Sequence, residues 1–495
     1  MDKVYSIIRS LIIGLLFSIQ VVAQSDEGFS QSQMTDICVE IGTYLGNWHR
    51  NYYGNEAPSA LNMIWKSYLG HGTTVISRKI GKKVWAGSGW TGQPLLIEEN
   101  GRPFLIIGAF DHNLKKIDAR TGHVQWQCSF DDVIKGTGTL WINPNASNLQ
   151  NKVIILQGSR LGTQYNLDAP CIPSYRAVSY FTGKELWRLN VPRTRSYSRD
   201  VDGSAVVIGN TVYIGLENGT FVALDPDPDL TLKIDGAWQP YIYDVWPLYT
   251  EKDVTRHGGN LVTEASPCVL NDHIYIAAGS GHLYGYSIDS SRIDWDFYIG
   301  SDIDGSPVVT SDSCILVAVE KQYIQGRGGI LKLNPTRKPS EAVEWFFPTL
   351  DKQVELWMGG VIGSACVNDL TKQEEDPFLA AFTGIDGYLY VVRYRAIDSG
   401  KEKVFGPRQK HLYSVPVLVF KKYIGPSIST PIFVGNKLIA GGYSGLYLFE
   451  YDGKAKFTML DRISGRTFES TPIVFNRRVY IGSRDGYLYC LGDEH

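Results

Sequence analysis

Apolar residues in this chain come in short alternating runs broken by polar turns, and nowhere beyond the N-terminus do they hold a helical spacing. Residues 470–492, STPIVFNRRVYIGSRDGYLYCLG, show the pattern most clearly. An apolar run is followed by a polar turn at Asn476 to Arg478, a second run from Val479 to Gly482, the turn Arg484-Asp485-Gly486 and a third run from Tyr487 to Leu491. Period-two alternation with a turn signal at each reversal predicts a three-stranded antiparallel meander. The same phrase recurs at 203–225, 265–287 and 429–451, and its opening recurs at 305–320. A degenerate copy starts at 363 and resumes at 377–394, another covers 93–118, and the most divergent starts near Gly136 and includes 152–158 and 175–187.

Several of these eight units run on through a turn to a tryptophan, at Trp126, Trp187, Trp295 and Trp345, which adds a fourth strand. A lone four-stranded sheet cannot bury both faces, whereas radial stacking lets each sheet cover the next. The chain therefore reads as all-β, an eight-bladed β-propeller of four-stranded antiparallel blades over residues 61–495, preceded by a lead-in at 24–60. The last copy ends after three strands. Its fourth is expected from the N-terminal side, and Thr74 to Trp85, strand-like and ending in a tryptophan, is the segment assigned to close the ring and remove an exposed edge.

Composition agrees with this picture: of 495 residues, 43% are hydrophobic and 20% charged, with 51 Gly, 29 Tyr and 12 Trp, a balance that suits strands and tight turns. A formal charge of −3 leaves no basic footprint for a phosphate backbone, so no nucleic-acid partner is expected. Lys3 and Arg9 precede the apolar run Leu11 to Val22, and Val21-Val22-Ala23 has the small residues of a signal-peptidase site. Residues 1–23 are read as a signal peptide cleaved near Ala23, giving a periplasmic or secreted protein; the alternative, an uncleaved anchor, has a run short of the roughly 20 residues that span a bilayer. The first cysteine is Cys38, so lipid anchoring is not signalled, and no transmembrane segment is expected in the mature chain. The seven cysteines form no CxxC pair, which argues against a thiolate metal site or a c-type haem.

The phrase S-x-P, VYIG, DG-x-L-Y, TG-x-x-x-W resembles the repeat of the pyrroloquinoline quinone (PQQ) dehydrogenase-like propellers. The lead-in LGNWHRNYYGNEAPSALNMIWKSYLG, 45–70, is similar to that of exported non-enzymatic members, such as the outer-membrane protein assembly factor. Two functions follow from the resemblance. One is a non-catalytic binding or assembly scaffold for a protein or glycan partner. The other is a PQQ- and calcium-dependent oxidoreductase acting on alcohols or sugars, in which the metal polarises the quinone and an Asp takes the alcohol proton. The adjacent cysteines and inserts that accompany that chemistry in the family are missing here, so the scaffold is the expectation, without PQQ.

Aligning the copies on S-x-P puts Asp202, Glu264, Asp304 and Glu469 at one position, two residues before the Ser or Thr, where innermost strands enter the channel. Asp200 and Asp302 repeat the charge two residues earlier, with Arg199 and Arg466 nearby. Like charges gathered at a channel mouth require a cation, an arginine or protonation. Either these carboxylates cap backbone N–H groups of neighbouring blades, or Asp202, Glu264 and Asp304 hold a cation such as calcium or the cationic group of a ligand. A second candidate surface is an aromatic insertion between the third and fourth blades, with Trp238, Tyr241, Tyr243, Trp246 and Tyr249. These rings serve either as a platform for a sugar, peptide or protein, or as cover for a blade edge.

Overall fold

The computed structural model describes residues 36–77, 79–160 and 169–493; the signal-peptide assignment at 1–23 lies outside them. Eight antiparallel sheets form eight blades, seven with four strands and one with five, and three two-stranded hairpins lie outside them. Blade 3 shows the unit: Val206–Ile208, Thr211–Leu216, Thr220–Leu224 and Ile242–Pro247, ordered from channel to rim. The innermost strands are short and buried, and the blades pack through apolar side chains from facing sheets.

The hydroxyl of each S-x-P phrase has a structural task. The N–H of Ser204 donates to Ser266 Oγ at 2.8 Å, that of Ser266 to Ser306 Oγ at 2.8 Å, that of Ser306 to Ser364 Oγ at 2.9 Å and that of Ser364 to Thr430 Oγ1 at 2.8 Å. In blades 4 to 7 one hydroxyl thus satisfies a buried backbone donor of the preceding blade. This explains why Ser or Thr recurs there, since an unpaired buried N–H is costly.

The ring is closed by an N-terminal strand, but a different one from that expected. Asn62–Tyr68 pairs with Tyr487–Gly492 and completes blade 8. Thr74 to Trp85 instead falls in a hairpin, His71–Ser77 against Gly81–Ala86, that belongs to no blade. Asn62–Tyr68 carries Trp65 and Tyr68, which pack on Tyr480 and Tyr487 of the same blade. The hairpin's Gly81, at φ 78°, makes the turn that folds the assigned segment on itself before it can reach blade 8. Ser67→Pro, opposite Leu488, is therefore expected to cost about 3 kcal/mol or more by breaking a sheet edge, while Val84→Pro in the exposed hairpin costs far less. Urea melts of the two variants check the assignment.

The lead-in does more than connect. Ile37–Ile41 adds a fifth strand to blade 1 along Leu95–Glu99. The chain then crosses the end of the channel where the innermost strands leave it. Gly42 O accepts from Leu140 N (2.8 Å), Trp48 O from Val269 N (2.8 Å), His49 O from Val309 N (2.9 Å) and Tyr53 O from Val474 N (3.0 Å). Tyr53 OH accepts from Val367 N at 3.1 Å, and Tyr44 OH lies 2.8 Å from Thr430 Oγ1. With the Arg50 contacts to blades 3 and 4, this segment touches all eight blades and plugs one end of the propeller.

Candidate functional site

The opposite end of the channel is formed by the residues two positions before each Ser or Thr. Four of them are the carboxylates expected from sequence, but the ring also holds Lys135 in blade 2, Ile362 in blade 6 and Ile428 in blade 7. The mouth thus carries carboxylates on the consecutive blades 3 to 5, isoleucines on blades 6 and 7, and one further carboxylate, Glu469, on blade 8. Ile362, Ile385, Ile428 and Trp90 pack together, covered by Val354 and Trp357.

The acidic half divides in two. Asp202, Glu217 and Glu264 offer oxygens within 4.8 Å of one another, and Lys135 Nζ stands among them, paired with Asp202 and 3.4 Å from Glu264 Oε1. Burial works against the lysine's charge, yet Asp202 and Glu264 lift its pKa well above the ordinary value. Asp200 pairs with Arg160 Nε at 3.3 Å. Within the arc Asp202–Glu264–Asp304 proposed from sequence, Lys135 of the degenerate repeat pairs with the first two members, and Asp304 stays within reach of Glu264.

Asp304 groups instead with Asp302 and Glu320, again within 4.8 Å. All three are buried. Asn260 Nδ2 donates to Asp302 Oδ2 at 2.5 Å and to Gln322 Oε1 at 3.2 Å, whereas Asp302 Oδ1 and Asp304 Oδ1 have no hydrogen-bond partner among the described residues. Nor does any described lysine, arginine or histidine form an ion pair with the three. Burial and then the neighbouring Glu264 push Asp302 up to about 7. Burial and then Asp302 push Glu320 up to about 8, and the same two causes raise Asp304 well above its usual range. Such a cluster must keep protons or accept a cation. Its oxygens suit calcium or an organic cation alike.

Glu469, across the mouth, is neutralised by Arg484 at 2.8 Å. Arg466 is turned away from it, 3.2 Å from Asp485, and Arg199 donates to the Ala169 carbonyl. PQQ is a tricarboxylate and would need cations at the mouth. Lys135, Arg160 and Arg484 are each already engaged by a carboxylate, so the residues present do not fit that anion.

The aromatic segment is not an insertion between blades, since it contains Ile242–Pro247, the outer strand of blade 3. Its rings split accordingly. Trp238, on the hairpin Leu232–Ile234 and Ala237–Gln239, and the edge-packed pair Tyr241–Tyr243 are half exposed. Trp246 folds onto Tyr286 of blade 4, with ring centroids 4.6 Å apart, and Tyr249 lies against Gly219.

Lys135, Asn260, Glu217 and Glu320 escaped the sequence reading. Lys135 stands two residues before Thr137 and was recoverable by aligning the divergent copy on its Thr. Glu217 and Glu320 each directly follow the second strand of their blades, at Leu216 and Val319, a coincidence that the S-x-P alignment does not expose.

Residues 72–229 match the family described as "Outer membrane protein assembly factor BamB". A comparison with curated proteins gives no match. Among solved structures the chain is similar to BamB from Moraxella catarrhalis, with 13% sequence identity, a TM-score of 0.51, and coverage of 79% of this chain and 94% of that one. It is also similar to the computationally designed protein Ika8, with 12% identity, a TM-score of 0.46, and coverage of 88% and 100%. The repeats and the eight closed blades define an eight-bladed β-propeller, and residues 72–229 of it are similar to the assembly-factor family.

Proposed function

We propose that this chain is an exported, non-catalytic propeller that holds a protein partner on its mouth face, as an assembly scaffold does. The observation that carries the reading is the asymmetry of the two ends. One is sealed by the chain's own lead-in. The other sets buried carboxylates inside a rim of exposed apolar side chains, Leu356 at 79% and Tyr197 at 71% exposure, with Tyr323 and Met358 near half. Apolar contacts around a desolvated polar centre are the anatomy of a protein-binding hot spot. The N-terminal charge and apolar pattern supports export to the periplasm or medium, and the family match supports assembly over catalysis.

A photo-crosslinking residue at position 356 or 323 is expected to give a discrete protein adduct in cells, while one at exposed Arg477, beside the sealed end, gives none. Equal labelling from both ends removes the mouth as the docking face. Turnover of alcohols that requires added PQQ and calcium would overturn the scaffold reading altogether.

A further inference from the structure

The two halves of the acidic mouth pose the same electrostatic problem, and burial raises carboxyls in both, but only one has a cationic side chain among its oxygens. At blade 2 the ring position carries Lys135, whose ammonium enters between Asp202 and Glu264. One blade beyond Glu264, Asp302, Asp304 and Glu320 form an equally tight group, with no cationic side chain among the described residues in an ion pair with them. Two of their oxygens face no donor.

What surrounds this group narrows the ligand. Tyr323 lies close enough to Asp302 and Glu320 for both charges to act on its hydroxyl, and its ring packs on His257 at 4.6 Å. Tyr197 binds through its N–H to Gly259 O, next to Asn260. On the other side the Glu320 backbone bridges to Gly360 and Lys321 N donates to Gly359 O, directly after exposed Met358, while Leu356 stands exposed between Val354 and Trp357, which cover the isoleucines of the same mouth. A bare metal ion would satisfy the carboxylates and leave that apolar rim in water. A lysine or arginine flanked by apolar residues satisfies both, with its charge at the carboxylates and its stem and neighbours on the rim.

We infer that Asp302, Asp304 and Glu320 form a receptor for a lysine or arginine side chain of the partner protein, flanked there by apolar residues that pack on Tyr197, Tyr323, Leu356 and Met358. The inference rests on the scaffold reading and specifies the chemistry of the docked segment. Lys135 is its internal template: the partner supplies to the carboxylates of blade 5 what blade 2 supplies to blades 3 and 4.

The test uses the mature protein and two blocked peptides, acetyl-Leu-Lys-Leu-amide and its neutral twin with norleucine in place of lysine, titrated by calorimetry, with calcium chloride as a third ligand. The lysine peptide is expected to bind saturably and at least tenfold tighter than the twin. Asp304→Asn with Glu320→Gln is expected to erase the difference. Leu356→Ser, on the surface and safe for folding, is expected to weaken both peptides alike. Equal affinity of the twins, binding of neither, or calcium binding that is tighter than the peptide and lost in the double variant overturns the inference. Crosslinks from position 356 that persist unchanged in the double variant leave the scaffold standing while the cation receptor falls. Their absence from wild type removes the scaffold reading itself.

Discussion

Arg50→Met is expected to destabilise the protein by about 3–5 kcal/mol, the range for stripping a buried charged group from its partners. The Arg50 side chain is fully buried at the sealed end, where its guanidinium addresses five acceptors in three separate parts of the chain. Nε donates to Pro267 O (2.8 Å), Nη1 to Thr43 Oγ1 and Tyr44 O (2.8 Å each), and Nη2 to Ser204 O (3.3 Å) and Ala205 O (3.2 Å). That uses the full donor set of the group. Its pKa falls to about 10 because of burial, so it stays charged at neutral pH. No carboxylate among the described residues pairs with it, and four backbone carbonyls and the Thr43 hydroxyl hold the charge instead. Methionine matches the length of the stem and leaves those carbonyls without donors in a dry interior. Lysine keeps the charge but has fewer donors and lacks the planar fork, so Arg50→Lys should recover only a minor part. Urea unfolding of the three proteins measures this directly. A midpoint for Arg50→Met within error of wild type would show that the plug is docked without being needed.

The repeat architecture was readable from sequence because each blade writes its own strands locally, in period-two runs and turn residues that do not depend on the other blades. The eight copies, the inner strand after S-x-P and, in blades 1, 2, 4 and 5, an outer strand that begins near a tryptophan all appear in the structure. What was not readable is what depends on long-range pairing. Asn62–Tyr68 and the hairpin strand Gly81–Ala86 both look like edge strands with a tryptophan, and only register against Tyr487–Gly492 separates them. The plug was invisible for the same reason: Arg50 and Tyr53 make bonds to residues hundreds of positions away, and nothing in LGNWHRNYYG states them. The acidic mouth was half legible. Asp202, Glu264 and Asp304 share a repeat position and could be aligned, but pairing them correctly required Lys135 from the most divergent copy and Glu320 from a different strand.

The mouth therefore makes an opposite-sign prediction for two aspartates at the same repeat position. In the Asp302–Asp304–Glu320 cluster, folded-state pKa values raised to about 7 for Asp302 and about 8 for Glu320 lie far above unfolded values near 4. A raised carboxylate binds its proton more tightly when folded, so its stabilising share is complete below about pH 4 and is lost as pH rises through about 7 to 8. The free protein is thus expected to be more stable at pH 6 than at pH 8.5. Asp304→Asn with Glu320→Gln removes the repulsion at nearly constant volume and should stabilise the protein at pH 8.5 by on the order of 3 kcal/mol, with a flatter pH profile. Asp202→Asn should do the reverse. It takes away the closest partner of Lys135, whose charge is held against burial by Asp202 and Glu264; burial also raises the Asp202 carboxyl itself, so the cost, about 3 kcal/mol, is expected at pH 8.5, where lysine and aspartate are both charged. Denaturant midpoints at pH 6 and 8.5 for wild type and both variants decide the matter. If both variants shift stability in the same direction, the division of the mouth into a compensated and an uncompensated half is wrong.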